Sequence, residues 1–195
     1  MPANKTISRL RIKHLRHREM TTIAVMTALA VLSRLCFYML PEVKPMAAIV
    51  IVTAIAFGSM PAFLVGSLTM LISNFIYGQG PWTLWQMLGL GAVGFVAGII
   101  FKGQDMASQK DRLKVSIIGG IITFAIYGFF VDTGSVVFLN SAFNSLAFKD
   151  ISYVYLSGIV FNAIHGLGTI IFLYLMGNLI LKKLLRVRLK YGIFN

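Results

Sequence analysis

The sequence predicts an all-α membrane protein, a six-transmembrane-helix bundle with both termini cytoplasmic. Three observations carry that reading. Of 195 residues, 57% are apolar and only 12% charged, whereas roughly a quarter of a soluble domain's residues are charged. The charges gather in clusters, separated by several apolar runs near the roughly 20 residues a helix needs to cross a bilayer. Fifteen of the 18 Lys and Arg residues fall in segments that alternating spans place on one side. A water-soluble globule and a disordered chain are both excluded. The length suits one membrane domain over residues 1–195: a basic segment 1–19, helices over about 20–181 and a basic tail 182–195.

The first span reads from about Met20 to Leu40, too long for a signal-peptide core and without a cleavage pattern, so we expect it to be retained. Pro41-Glu42-Val43-Lys44-Pro45 follows as a tight polar connection, with Pro45 suited to a first helical turn. The second span, about Met46 to Gly58, is short, roughly 20 Å at 1.5 Å per residue. Ser59-Met60-Pro61 turns it into the third, which ends near Ile76. Tyr77-Gly78-Gln79-Gly80-Pro81 is a glycine-proline loop that starts the fourth span at Trp82, and this span runs to Phe101. Lys102 to Lys114 is a charged connection to a fifth span, about Val115 to Phe138. A polar connection with Asn140, Asn144, Lys149 and Asp150 precedes the sixth, about Ser152 to Leu181.

The basic residues set the orientation. Lys5, Arg9, Arg11, Lys13, Arg16 and Arg18 precede the first span, Lys102, Lys110, Arg112 and Lys114 follow the fourth, and Lys182, Lys183, Arg186, Arg188 and Lys190 end the chain. Topology and anionic lipid account for the net charge of +12, so no nucleic acid partner is implied. The tail is expected to rest at the lipid interface.

Arg34 and Asp132 are the charges expected within spans, each near the outer end of its helix, where a charge faces a partner or a watery cavity. Two compatible readings follow: an Arg34–Asp132 ion pair, or an outward ligand pocket. Asn162 and His165 share a helix face at i and i+3. A proton relay through His165 would need further acids along its path, and none is expected there. The segment Asn74 to Met87 places Tyr77, Gln79, Trp82, Trp85 and Gln86 around one outer loop. An interfacial aromatic belt explains the rings, but the amides of Asn74, Gln79 and Gln86 need partners at membrane depth, as in a ligand pocket. Ala24 and Ala28, and Gly91, Gly94 and Gly98, have spacings that let helices approach closely. The one cysteine, Cys36, excludes an internal disulfide, and no Cys or His spacing suggests a metal site.

Together these residues resemble the substrate-binding S-component of energy-coupling factor (ECF) transporters, over nearly the whole chain. Arg34 to Pro45 with Gly78-Gln79-Gly80-Pro81-Trp82-Thr83 looks most like the cobalamin-specific subgroup. The resemblance implies a multi-pass subunit of a bacterial cell membrane that captures a vitamin at the outer face. It further implies a transmembrane coupling protein, the T-component, and two cytoplasmic ATPases. The docking face would be Ala24 and Ala28. The pocket would be bounded by Arg34 to Lys44, with Tyr38 among its candidates, by Asn74 to Gln86, and by the region after Asp132, with Asn162 and His165 as further candidates. The subunit would reorient in the membrane during the partners' ATP cycle. No cofactor is expected on this chain, which has no GxxxxGK[ST] motif, so ATP and magnesium would be used by the ATPases. An S-component for pantothenate, folate or riboflavin is the nearest alternative. From other classes, an intramembrane enzyme built on Asp132, Asn162 and His165 lacks a nucleophile or metal-ligand motif. A secondary transporter would show repeated halves, and a structural adaptor would not need the outer-loop amides.

Overall fold

The computed structural model describes residues 3–143 and 148–194. Neither Gly nor Pro interrupts Ala3 to Leu40, and helix α1 (Ala3–Cys36) begins deep inside the basic segment rather than near Met20. It stops four residues short of the expected Leu40, where the chain turns ahead of Pro41, a residue that disfavours helix before it. Helix α2 (Met46–Phe57) has all twelve residues buried. Gly58, at φ 94, lets the chain reverse at one residue into α3 (Ser59–Tyr77). Helix α4 (Trp82–Ile100) returns along α3.

The second half consists of two long rods, each interrupted by a π turn. Helix α5 (Gln109–Ile122) passes through Thr123–Tyr127 into α6 (Gly128–Phe143). Helix α7 (Phe148–Phe172) passes through Leu173–Gly177 into α8 (Asn178–Tyr191). Asn140 therefore lies within α6, and Lys149 and Asp150 within α7; Asn144 lies outside the described residues. Five helical stretches are long and apolar enough to cross a membrane: His17–Cys36, Ser59–Tyr77, Trp82–Ile100, Gln109–Ser141 and Asp150–Tyr191. Helix α2 falls short of that length: twelve residues rise only about 18 Å against a hydrocarbon core of about 30 Å. It is the apolar centre about which the others pack.

Helices α3 and α4 touch backbone to backbone. A Cβ built on Gly66 would lie 2.5 Å from the Leu90 carbonyl oxygen, and one on Gly94 would lie 2.7 Å from that of Ala62. Such contact maximises van der Waals packing where no hydrophobic effect drives helices together in lipid. The glycines of the fourth span thus serve internal packing. Ala24 and Ala28, by contrast, face outward.

The end of the chain departs from the expected surface tail. Gly192 adopts the left-handed conformation (φ 61), Ile193 is buried, and the Phe194 ring packs 4.9 Å from that of Phe57. Arg188 donates to the carbonyls of Ala56 and Phe194, while the Phe194 amide donates to Glu19. The bond to Ala56 satisfies a carbonyl that the C-terminal turn of α2 leaves free.

Candidate functional site

At the end of the bundle opposite the Arg188 contacts, α1 finishes, α3 finishes and α4 begins, and a buried polar network ties the three. Arg34 is 7% exposed; its guanidinium donates to the Ser73 hydroxyl and, at 2.8 Å, to the Asn74 side-chain carbonyl. The Asn74 amide donates in turn to Thr83 Oγ1 at 3.0 Å and Gln86 Oε1 at 2.8 Å. The Arg34 guanidinium lies over the Tyr77 ring, 4.5 Å from its centroid, and the Tyr77 hydroxyl donates to the Arg34 carbonyl. The expected demand of these amides for partners is met here by other side chains of the same network.

A second cluster forms around the α1–α2 connection. Glu42 has φ 58, a left-handed conformation uncommon for a residue with a Cβ. Its carboxylate lies 3.1 Å from His165 Nδ1 on α7. The His165 ring is 4.9 Å from that of Tyr127, which the π turn between α5 and α6 places there. Burial pushes the Glu42 carboxyl up, but the hydrogen bond and charge of His165, followed by the charges of Lys44 and Arg34, outweigh it and hold Glu42 below its ordinary value. Burial lowers Lys44 below its usual range, and Arg34 adds to the effect while Glu42 opposes it. The expectation that no acid would lie near His165 is overturned: a residue 123 positions earlier in the chain reaches it from a loop.

The third cluster separates two residues the sequence had offered as a pair. Asp132 Oδ2 accepts from the Asn162 amide at 2.9 Å, while Arg34 is held by α3. Among the described residues, Arg34 and Asp132 form no ion pair. The physical reason is that each finds neutral hydrogen-bond partners on the helix packed against it. Asp132 and Asn162 line a cavity of about 610 Å³ between α6 and α7, together with Phe129, Tyr155 and Ile159.

The remaining candidates lie around these clusters. Tyr38 is exposed, with its ring 5.2 Å from that of Tyr77. Gln79 is exposed and its side chain folds back to donate to the Leu71 carbonyl of α3, so it does not join the network. Trp82 is half-exposed and meets Phe138 edge-on. Trp85 rests on Gly134, where an added Cβ would sit 2.5 Å from the indole. Among the described residues, no group of three or more His, Cys, Asp or Glu could hold a metal ion. Glu42 and Thr83 lay within the stretches the sequence assigned to the pocket but were not singled out; Ser73 and Tyr127 fell outside them, and sequence reasoning missed both.

Five helices long and apolar enough to cross a bilayer, with buried polar clusters between them, define an all-helical protein of the multi-pass membrane class. The model of the ECF transporter, substrate-specific component family matches residues 18–177, and the chain belongs to that family. It is 29% identical over 139 residues to the UPF0397 protein VS_II0189 of Vibrio atlanticus (strain LGP32), an alignment covering 71% of this chain and 72% of that one. No solved structure matches. Members of this family are substrate-binding subunits without catalytic activity, so the intramembrane-enzyme alternative falls away.

Proposed function

We propose that this chain captures a vitamin, cobalamin in the first instance, at the end of the bundle bearing the Arg34 network. Bound substrate is then delivered when the chain docks to a T-component and two ATPases. The observation that carries the reading is the network Arg34–Ser73–Asn74–Thr83–Gln86, which fixes amide and guanidinium groups of three helices against the Tyr77 ring, on an end of the bundle where α4 also carries Trp82 and Trp85. Fixed polar groups among flat rings orient a ligand with little loss of entropy on binding. The basic ends support a topology with both termini in the cytoplasm, where the partners would use ATP and magnesium. The exposed Ala24 and Ala28 form the docking face for the T-component.

A second reading within the family is favoured by one observation. Arg34 is buried without a carboxylate at ion-pair distance among the described residues, and such a charge suits the carboxylate of pantothenate or folate. Calorimetric titration of the detergent-purified chain with cobalamin, folate, pantothenate and riboflavin decides. Tight one-to-one binding of cobalamin alone is the expected result; binding of pantothenate or folate alone selects the second reading.

A further inference from the structure

The cavity between α6 and α7 is built around one carboxylate. Asp132 is 9% exposed, and of its two oxygens only Oδ2 has a hydrogen-bond partner among the described residues, the amide of Asn162. Oδ1 accepts nothing, yet it is not sealed in, so it opens on the cavity that Asp132 lines. Two glycines make room for this pair. A Cβ on Gly158 would lie 2.7 Å from Asp132 Cγ, and one on Gly128 would lie 2.7 Å from Asn162 Cγ, so each helix presents bare backbone to the polar side chain of the other. Three rings stand on the wall: Phe124, supplied by the π turn Thr123–Tyr127, Phe129 and Tyr155. The Thr133 hydroxyl donates to the Phe129 carbonyl, so the Tyr155 hydroxyl donates to Thr133, at 2.8 Å, and its ring is pinned.

Neither Lys nor Arg lines the cavity, and among the described residues Asp132 has no ion-pair partner. A carboxylate within a membrane span is costly unless a cation or water meets it. The faces of aromatic rings carry negative charge and attract a cation as well. Carboxylate and rings therefore select the same ligand chemistry, and about 610 Å³ holds a small organic molecule. We propose that the α6–α7 cavity is a binding site for a small, flat organic cation, whose charge meets Asp132 Oδ1 while its apolar body lies among Phe124, Phe129 and Tyr155. Asn162 positions the acid by holding Oδ2, which leaves Oδ1 to the ligand. If the empty site holds a proton on Asp132, the arriving cation displaces it to solvent and the same pair results. No group of the Arg34 network takes part, so the inference goes beyond the proposed function and fails or stands separately from it.

The full chain in detergent is titrated by calorimetry with 1-methylnicotinamide, a flat aromatic cation, and with nicotinamide, the same ring without the added methyl group and the charge. The parent should bind the cation at least about tenfold more tightly than its neutral twin, the advantage of one charge-assisted contact. Asp132→Asn keeps an oxygen for the Asn162 amide but removes the charge, and should bind the two compounds alike. Gly158→Ala keeps the charge but moves the carboxyl aside, and should also diminish the preference; it decides alone if Asp132→Asn does not fold. Cobalamin titrated into the same proteins reads the proposed function independently. Equal binding of both compounds by the parent overturns the proposal, as does a preference that persists undiminished in the folded variants. Failure of the folded parent to bind the cation at millimolar concentration overturns it too.

Discussion

The two halves of the bundle solve the same packing problem in opposite ways. Between α3 and α4, glycine meets backbone at Gly66 and Gly94, and no space remains. Between α6 and α7, a cavity of about 610 Å³ remains open, bridged near Asp132 by its hydrogen bond with Asn162. A subunit that must hold a ligand needs both. The tight pair fixes Ser73, Asn74, Thr83 and Gln86 with small positional error, and the looser pair leaves room to rearrange.

The largest effect expected from this contrast is at Gly94. A valine there places Cβ 2.7 Å from the Ala62 carbonyl oxygen and 2.8 Å from a Val50 methyl, with neither backbone free to move. Gly94→Val should cost at least about 3 kcal/mol, the upper range for overpacked cores, and deny recovery of monodisperse protein by size-exclusion chromatography. Ile159→Ala on the wall of the α6–α7 cavity should cost under about 1 kcal/mol, because its side chain is 47% exposed. Equal losses at the two sites would abolish the distinction between the halves.

Next in size is the bridge across the looser pair. Asn162→Leu leaves the Asp132 carboxyl buried without its donor and should cost about 1–3 kcal/mol, whereas Asp132→Leu combined with Asn162→Leu should recover most of that loss, since removing both partners leaves no orphan. Thermal unfolding of the two single variants and the double variant reads the coupling. Additive losses would mean that the bond does not hold α6 to α7.

How much of this was legible in the sequence follows the range of the interactions. Five of the six expected spans came through because hydropathy is a property of consecutive residues, while α2 proved too short to cross, and the glycines of α4 announced close packing by their own spacing. Boundaries slipped where helix propensity carried on past the apolar run, at Ala3 in α1 and at Tyr191 in α8. The site divided in the same way. Asn74 and Gln86 are twelve residues apart and meet across one hairpin, so the sequence could group them. Arg34 with Asp132 was a plausible pairing by depth, but depth says nothing about which helices adjoin, and each residue took a neutral partner nearer to it. Glu42 with His165 is a contact between a loop and a helix far along the chain, which no local pattern encodes.

A smaller effect concerns that contact. Glu42 is held below its ordinary value of 4.5, so the folded state binds its proton less readily than the unfolded state. The resulting stability is present above about pH 4.5 and is lost as pH falls through the lower folded value. The parent's unfolding temperature should therefore drop more steeply below pH 4.5 than that of Glu42→Gln, which has no carboxyl to protonate. Parallel profiles in that window would show that the seating of Glu42 contributes nothing to stability.

The smallest effect on the isolated chain is expected on α1, and there the comparison between tight and open surfaces becomes a comparison between faces of one helix. Ala30 is fully buried, whereas Ala24 and Ala28, on the other side, are exposed beside Val25, Leu29 and Leu32. In lipid an exposed leucine is as comfortable as an exposed alanine, so Ala24→Leu and Ala28→Leu should leave unfolding within about 0.5 kcal/mol of the parent and ligand affinity unchanged. What the added side chains would prevent is close approach of another helix. Copurification with the T-component and ATPases should fall sharply for both variants, and uptake with it. Intact complexes would remove the docking role from this face and leave the small residues, both exposed in the isolated fold, without an assigned role.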